Sequence, residues 1–160
     1  MATSARIPDQ AGSQGREELE VANHDAVKML SSVPLFSECT TKELEAIQRA
    51  AKEVTHAAGS VLAREGDSGL GFFLILEGTA SVSVGGQPRT SLGPGDFFGE
   101  ISLLDEGPRT ATVTADTPVK LLAVAAWVFK GLIEEHPSIA AKMLKVVAQR
   151  LRAASSDITH

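Results

Sequence analysis

The sequence predicts an α+β fold, a closed antiparallel β-roll flanked by helices, and three observations carry that expectation. Short apolar or alternating runs punctuated by Gly, Pro and Asp fill the chain from Gly59 to Val124, the pattern of many short antiparallel strands. Apolar residues at helical spacing come before and after that region. The 160 residues, 43% hydrophobic and 22% charged, suffice for one domain with a real core.

Taken in order, residues 1–15 (MATSARIPDQAGSQG) are small and polar with Pro and Gly, and are expected to form a disordered arm because they cannot bury enough surface to offset the entropy of ordering. A single domain is expected over 16–155, with 156–160 a flexible tail. From Arg16, Leu19, Ala22, Ala26 and Leu30 fall at helical spacing until Ser31, Ser32 and Pro34 break the pattern. A second helix opens at Thr40, where Glu43 completes a capping-box pattern, and Leu44, Ile47, Ala51 and Val54 are expected as its apolar stripe. The runs SVLAREGD, FFLILEG, TASVSV, RTSLGPGD, TATVTADTP and VKLLAV then read as strands. Ala80, Val82 and Val84 point one way and Ser81 and Ser83 the other, while Gly85-Gly86 supplies the positive φ angles of a tight hairpin. After Val124, AAWVFKGLIEE reads as a short helix and Pro137 as the first turn of a longer one. On that last helix Ala140, Leu144, Val147 and Leu151 line one side, and Lys142, Lys145, Gln149 and Arg152 lie on another. Trp127 and the paired Phe residues are expected in the core.

Composition narrows the function. No apolar run approaches the roughly 20 residues that cross a bilayer, and the start lacks a signal peptide's apolar segment, so a cytoplasmic address without a membrane partner is expected. The single cysteine, Cys39, has no partner for an internal disulfide. His24, His56, His136 and His160 are scattered, unlike the clustered ligands of a metal-binding cupin barrel, so no metal is expected. A formal net charge of −5 argues against a nucleic-acid surface. No Ser, Cys or Lys nucleophile has a visible base beside it, and the chain does not read as an enzyme or as one needing a catalytic cofactor.

The chemistry concentrates in FGEISLLDEGPRTATV, Phe98 to Val113. A strand ends at Phe97-Phe98, Gly99 lets backbone approach a ligand closely, and Ile101 to Leu104 can turn as a short helix whose first N–H groups face an anion. That cradle is weak alone, about 0.3 to 1 kcal/mol. Arg109, permanently charged and planar, can hold two phosphate oxygens at once. Glu100 beside a phosphate makes sense only if the ligand also offers a hydroxyl, as a ribose does, because an ionised carboxylate only accepts. A phosphate next to a ribose hydroxyl suggests a nucleotide. The plainer alternatives are that Glu100 complements a helix dipole and that Arg109 pairs with Asp105 or Glu106.

These residues resemble the phosphate-binding cassette of the cyclic nucleotide-binding domains, the family of protein kinase A regulatory subunits, the bacterial catabolite activator protein and cyclic-nucleotide-gated channels. VPLFSECTTKELEAIQRAAKEVTHAAGSVLAREGD resembles the family's helical and first-strand segments, FFLILEGTASV its central hairpin, and the residues after Ala125 its closing helices. The resemblance implies an eight-stranded β-roll (a jelly-roll, or double-stranded β-helix) with N-terminal helices, a buried cyclic nucleotide and a C-terminal lid helix. It assigns Glu100 to the ribose 2′-OH and Arg109 to the cyclic phosphate. Phe98, Gly99, Ile101, Ser102 and Ala111 surround sugar and phosphate, and Thr110 touches phosphate or purine. Val82 and Val84 line the wall near ribose and base, and Val147 and Arg150 meet the ligand from the lid, Arg150 over the purine face. As a solvated helix charge, Arg150 has the plainer reading. The ligand expected is cAMP, with cGMP the alternative, and the chain is expected to act as a stand-alone bacterial sensor that moves its lid against an unidentified protein effector, as a monomer or weak homodimer. Other readings are a fragment of a DNA-binding regulator, although the chain stops at ASSDITH without space for a recognition helix, and a degenerate interaction domain.

Overall fold

The computed structural model describes residues 25–68, 71–105 and 107–156. The expected arm at 1–15, positions 16–24 of the first expected helix and tail positions 157–160 lie outside the described residues. Helix α1 covers residues 25–31, a 3-10 turn follows at Pro34–Phe36, and α2 runs Thr41–Ala50. Eight strands come next: β1 (Lys52–His56), β2 (Val61–Ala63), β3 (Gly71–Glu77), β4 (Ala80–Val84), β5 (Gln87–Leu92), β6 (Phe97–Phe98), β7 (Thr112–Ala115) and β8 (Val119–Ala125). A 3-10 helix, Glu100–Leu103, separates β6 from β7, and α3 (Ala126–Glu135) and α4 (Pro137–Ser156) close the chain.

The strands form two four-stranded sheets, ordered β1-β8-β3-β6 and β2-β7-β4-β5. Every pairing is antiparallel. β3 and β8 explain why their sequences read as unbroken apolar runs. Successive strand side chains point to opposite faces, and this sheet is covered on both. From β3, Phe72 and Leu74 pack into the helical core with Phe36, Phe129, Leu122 and Val124. Their neighbour Ile75 packs between the sheets with Leu121, Ala80 and Val113, and Phe73 lies half-buried against that second core. β6 repeats the alternation, with Phe97 against the helical core and Phe98 against the inter-sheet core. Phe36 sits edge-on to Phe72 with ring centroids 5.6 Å apart, and Phe98 stacks on Phe73 at 5.1 Å.

Several expectations need correction. Helix α2 does open on the capping box, Thr40 accepting from the Glu43 N–H and Glu43 from the Thr40 N–H, but it stops at Ala50. Ala51 is extended at ψ 162, and Val54 belongs to β1, opposite Leu121 of β8. The β-branched residues of KEVTH find strand partners in β8, which outweighs a helical spacing that arises by coincidence. Trp127 is 77% exposed rather than in the core. Ala126, Phe129 and Leu132 form the buried face of α3, and Trp127, one residue and about 100° from Ala126, points away. On α4 the buried residues are Ile139, Met143 and Val146, with Val147 half-buried, while Leu144 and Leu151 are 68% and 66% exposed. The buried stripe is displaced by one residue from the one expected.

Candidate functional site

The cassette begins where β6 must turn. Gly99 has φ +83, and a Cβ built there would lie 2.5 Å from the Gly71 carbonyl oxygen, with the Arg109 guanidinium closer still. Only glycine fits both the left-handed backbone and that approach. The chain then makes the single 3-10 turn Glu100–Leu103, closed by the Ser102 N–H donating to the Gly99 carbonyl at 3.0 Å.

Arg109 is fixed at both ends. Its backbone N–H donates to the Asp67 carbonyl (2.7 Å) and its carbonyl accepts from the Gly66 N–H (2.9 Å), which ties residue 109 to the turn after β2. At the other end Nη2 donates to the Gly71 carbonyl at 2.9 Å, and the guanidinium lies 5.9 Å from the Phe73 ring centroid. Among the described residues no carboxylate pairs with it. The plain pairing with Asp105 is therefore not made, and Glu106 lies outside the described residues. Burial pushes the guanidinium pKa down from its ordinary value, yet so basic a group keeps its charge at neutral pH. A partly desolvated cation without a carboxylate partner among the described residues attracts an anion.

Glu100 is the second charge. Its side chain is 16% exposed, and its Oε2 lies 4.0 Å from Nη2 of Arg150 on α4. Burial raises the carboxyl pKa; its own backbone N–H and the Arg150 charge work against that rise.

Phe98, Gly99, Glu100, Ile101, Ser102, Arg109, Thr110 and Ala111 all line one cavity of about 440 Å³, with Ala63 and Val113 of the facing sheet and Asp105, Gly107 and Pro108. A second cavity of about 450 Å³ shares only Ala63 and Arg109 with it and has no Glu100 on its wall. The four expected residues outside the cassette are not among those lining this cavity. Val82 packs against the inter-sheet core, Val84 is half-buried at the hairpin end opposite Gln87, Val147 packs on the helical core, and Arg150 faces Glu100. Sequence reasoning missed Gly71, Phe73 and Asp105. Gly71 stands at the head of a strand where glycine is costly without a close approach to explain it, the one signal available. Among the described residues no group of three His, Cys, Asp or Glu is placed to hold a metal, and no helix is long and apolar enough to cross a membrane. The cavity thus brings the Arg109 guanidinium onto one wall with the carboxyl groups of Glu100 and Asp105 and the hydroxyl groups of Ser102 and Thr110.

Comparison with known proteins gives this geometry a context. The sequence profile of the cyclic nucleotide-binding domain matches residues 53–136. A cyclic nucleotide-gated potassium channel of Mesorhizobium japonicum is 39% identical over 140 residues, covering 86% of this chain and 39% of the channel. Potassium/sodium hyperpolarization-activated cyclic nucleotide-gated channel 2 of Mus musculus is 33% identical over 132 residues, 82% of this chain and 15% of that one. The chain thus spans about two-fifths of the bacterial channel and a smaller share of the mouse one. Among solved structures, the N-terminal domain of a transcriptional regulator from Streptomyces coelicolor superposes with a TM-score of 0.76 at 33% identity, covering 82% of this chain and 94% of that one. The Catabolite Activator Protein of Thermus thermophilus gives 0.62 at 32% identity, covering 78% and 61%.

Proposed function

The chain belongs to the cyclic nucleotide-binding domain family, and from that premise we propose that it binds cAMP in the cassette cavity and reports occupancy through α4. One observation carries the reading: Arg109 and Glu100 line the same cavity, both partly withdrawn from water, at the two ends of a segment that supplies five more of its lining residues. The cyclic phosphate goes to Arg109 and the ribose 2′-OH to Glu100, and Thr110 at the rim meets phosphate or purine. The ligand acts as a signal rather than a substrate, in keeping with relatives named as channels and regulators. Ligand can move α4 only by the difference in its affinity for two α4 positions, and the approach of Arg150 to Glu100 gives α4 a stake in the site.

Isothermal titration with cAMP and cGMP tests the binding, with cAMP expected to be the tighter. Arg109→Lys keeps the charge and loses the planar two-pronged contact, so affinity for cAMP should fall about tenfold or more, as expected for hydrogen bonds to a charged group worth about 1.5 to 3 kcal/mol. Wild-type affinity in that variant overturns the assignment of phosphate to Arg109. NMR shifts of α4 that stay unchanged at saturation defeat the signalling role and spare the binding. A second reading, a sensor that feeds a transcriptional regulator rather than a channel, is favoured by the likeness to the Streptomyces coelicolor domain. Co-purification of the native protein with DNA or with membranes separates the two.

A further inference from the structure

The second cavity, of about 450 Å³, has the size of a pocket that takes a small organic molecule. Val61 and Leu62 of β2, Phe73 of β3 and Ala123 and Ala125 of β8 give it an apolar wall, and Val61 leaves 42% of its surface open to water. Its charged groups are Arg64, Asp67 and Arg109. Among the described residues neither arginine pairs with a carboxylate, Asp67 included. Two cations against one anion leave this wall net positive. Arg109 stands between the two cavities. Its Nη2 donates to the Gly71 carbonyl at 2.9 Å and its guanidinium lies 5.9 Å from the Phe73 ring centroid, and both residues line the second cavity and not the first. On its other side Nη1 comes up against Gly99, which lines the cassette cavity alone.

From this arrangement we propose that the second cavity is a separate site for a small monocarboxylate with an apolar body, and that its occupancy weakens the hold of the cassette on a cyclic phosphate. A net positive wall disfavours a cation, and a single surplus charge suits a monoanion better than a doubly charged phosphate ester. The carboxylate meets the planar guanidinium groups of Arg64 and Arg109, which match its geometry. Its hydrocarbon body covers the apolar wall and the open surface of Val61. An anion on the Gly71 side of Arg109 repels a phosphate on the Gly99 side, because one guanidinium charge then serves two anions. The penalty is reciprocal, so bound phosphate weakens the carboxylate by the same factor. The site stands apart from the reading of the cassette; the coupling rests on that reading, in which Arg109 takes the phosphate.

Benzoate is the probe that tests this, with benzyl alcohol, the same ring without the charge, as its control. Amide NMR shifts locate the binding, and calorimetry measures cAMP affinity as benzoate is raised. Arg64 is exposed, so R64Q should fold normally, which circular dichroism checks. The expected result is saturable benzoate shifts at residues 61–68 and 123–125, several-fold weaker benzoate binding in R64Q, and weaker binding still of benzyl alcohol to wild type. The affinity for cAMP should fall several-fold and then level off as benzoate saturates. Shifts confined to Gly99–Ser102, no saturable shifts at all, or benzoate binding that R64Q leaves unchanged would each refute the site. A cAMP affinity that ignores saturating benzoate, or that falls without levelling off as in direct competition, refutes the coupling. If wild type binds no cAMP, the function proposed above falls, while the shifts and R64Q still decide the carboxylate site.

Discussion

At the scale of single residues, the site depends on a position where a side chain is forbidden. Gly99 combines a φ of +83 with a Gly71 carbonyl 2.5 Å from where a Cβ would sit. The Arg109 guanidinium can move aside, but the Gly71 carbonyl is fixed in β3. Gly99→Ala should therefore cost at least about 1 to 2 kcal/mol from the left-handed backbone alone, and should lower cAMP affinity further by pushing Arg109 away. Thermal melts with and without ligand check both parts; a variant that melts and binds like wild type would show that the turn has slack. Cys39 makes the contrasting case of a residue that chemistry should leave alone. Burial first, and then the nearby Glu43 charge, push its thiol pKa up to about 11, with Lys142 pulling slightly the other way. At neutral pH almost no thiolate is present, so iodoacetamide should label native Cys39 far more slowly than a free thiol and at the normal rate after unfolding.

At the scale of elements, Glu43 joins the two ends of the domain. It caps α2 through Thr40 and also accepts from Lys142 (2.7 Å) and Ser138 on α4. Burial alone would raise its pKa, but the hydrogen bonds from Lys142, Ser138 and the Thr40 backbone outweigh it and hold the carboxyl down at about 2 rather than 4.5. A carboxylate whose folded pKa is lowered contributes stability that is complete above its unfolded pKa and disappears as pH falls through the folded one. Glu43→Ala should thus cost about 1.5 to 3 kcal/mol near neutrality, as for hydrogen bonds to a charged group. The gap between wild type and variant should close as pH drops from about 4.5 to about 2. Urea unfolding across that range measures it, and a gap that stays constant would assign the loss to packing instead. The capping box was legible because its two partners lie three residues apart. The contacts to α4 span 95 and 99 residues, and nothing local in the sequence points to them.

At the scale of the whole molecule, one sheet separates two cores. β8 pairs with both β1 and β3 and gives Leu122 to the helices and Leu121 to the space between the sheets. Phe36, fully buried between Phe72 and Phe129, ties the helices to that sheet. Phe36→Ala should cost about 3 to 5 kcal/mol. Because the helical core rests on β3 and β8, denaturation should remain one transition by both fluorescence of Trp127 and circular dichroism; two separate transitions would mean that helices and β-roll are independent. The sequence by itself determined the class of fold, the hairpin at Gly85-Gly86 and the capping box, since each is written in short-range patterns of backbone preference, whereas the cassette residues from Phe98 to Ala111 are picked out as a set by resemblance to a known family. Only the tertiary structure decided that Val54 is a strand residue, that Trp127, Leu144 and Leu151 face outward, and that Arg109 rests on Gly71 and Phe73 while Arg150 faces Glu100. The physical reason is the same in each case: which face of an element is buried, and which distant carbonyl or carboxylate a long cationic side chain meets, depends on neighbours that only the folded chain brings within reach.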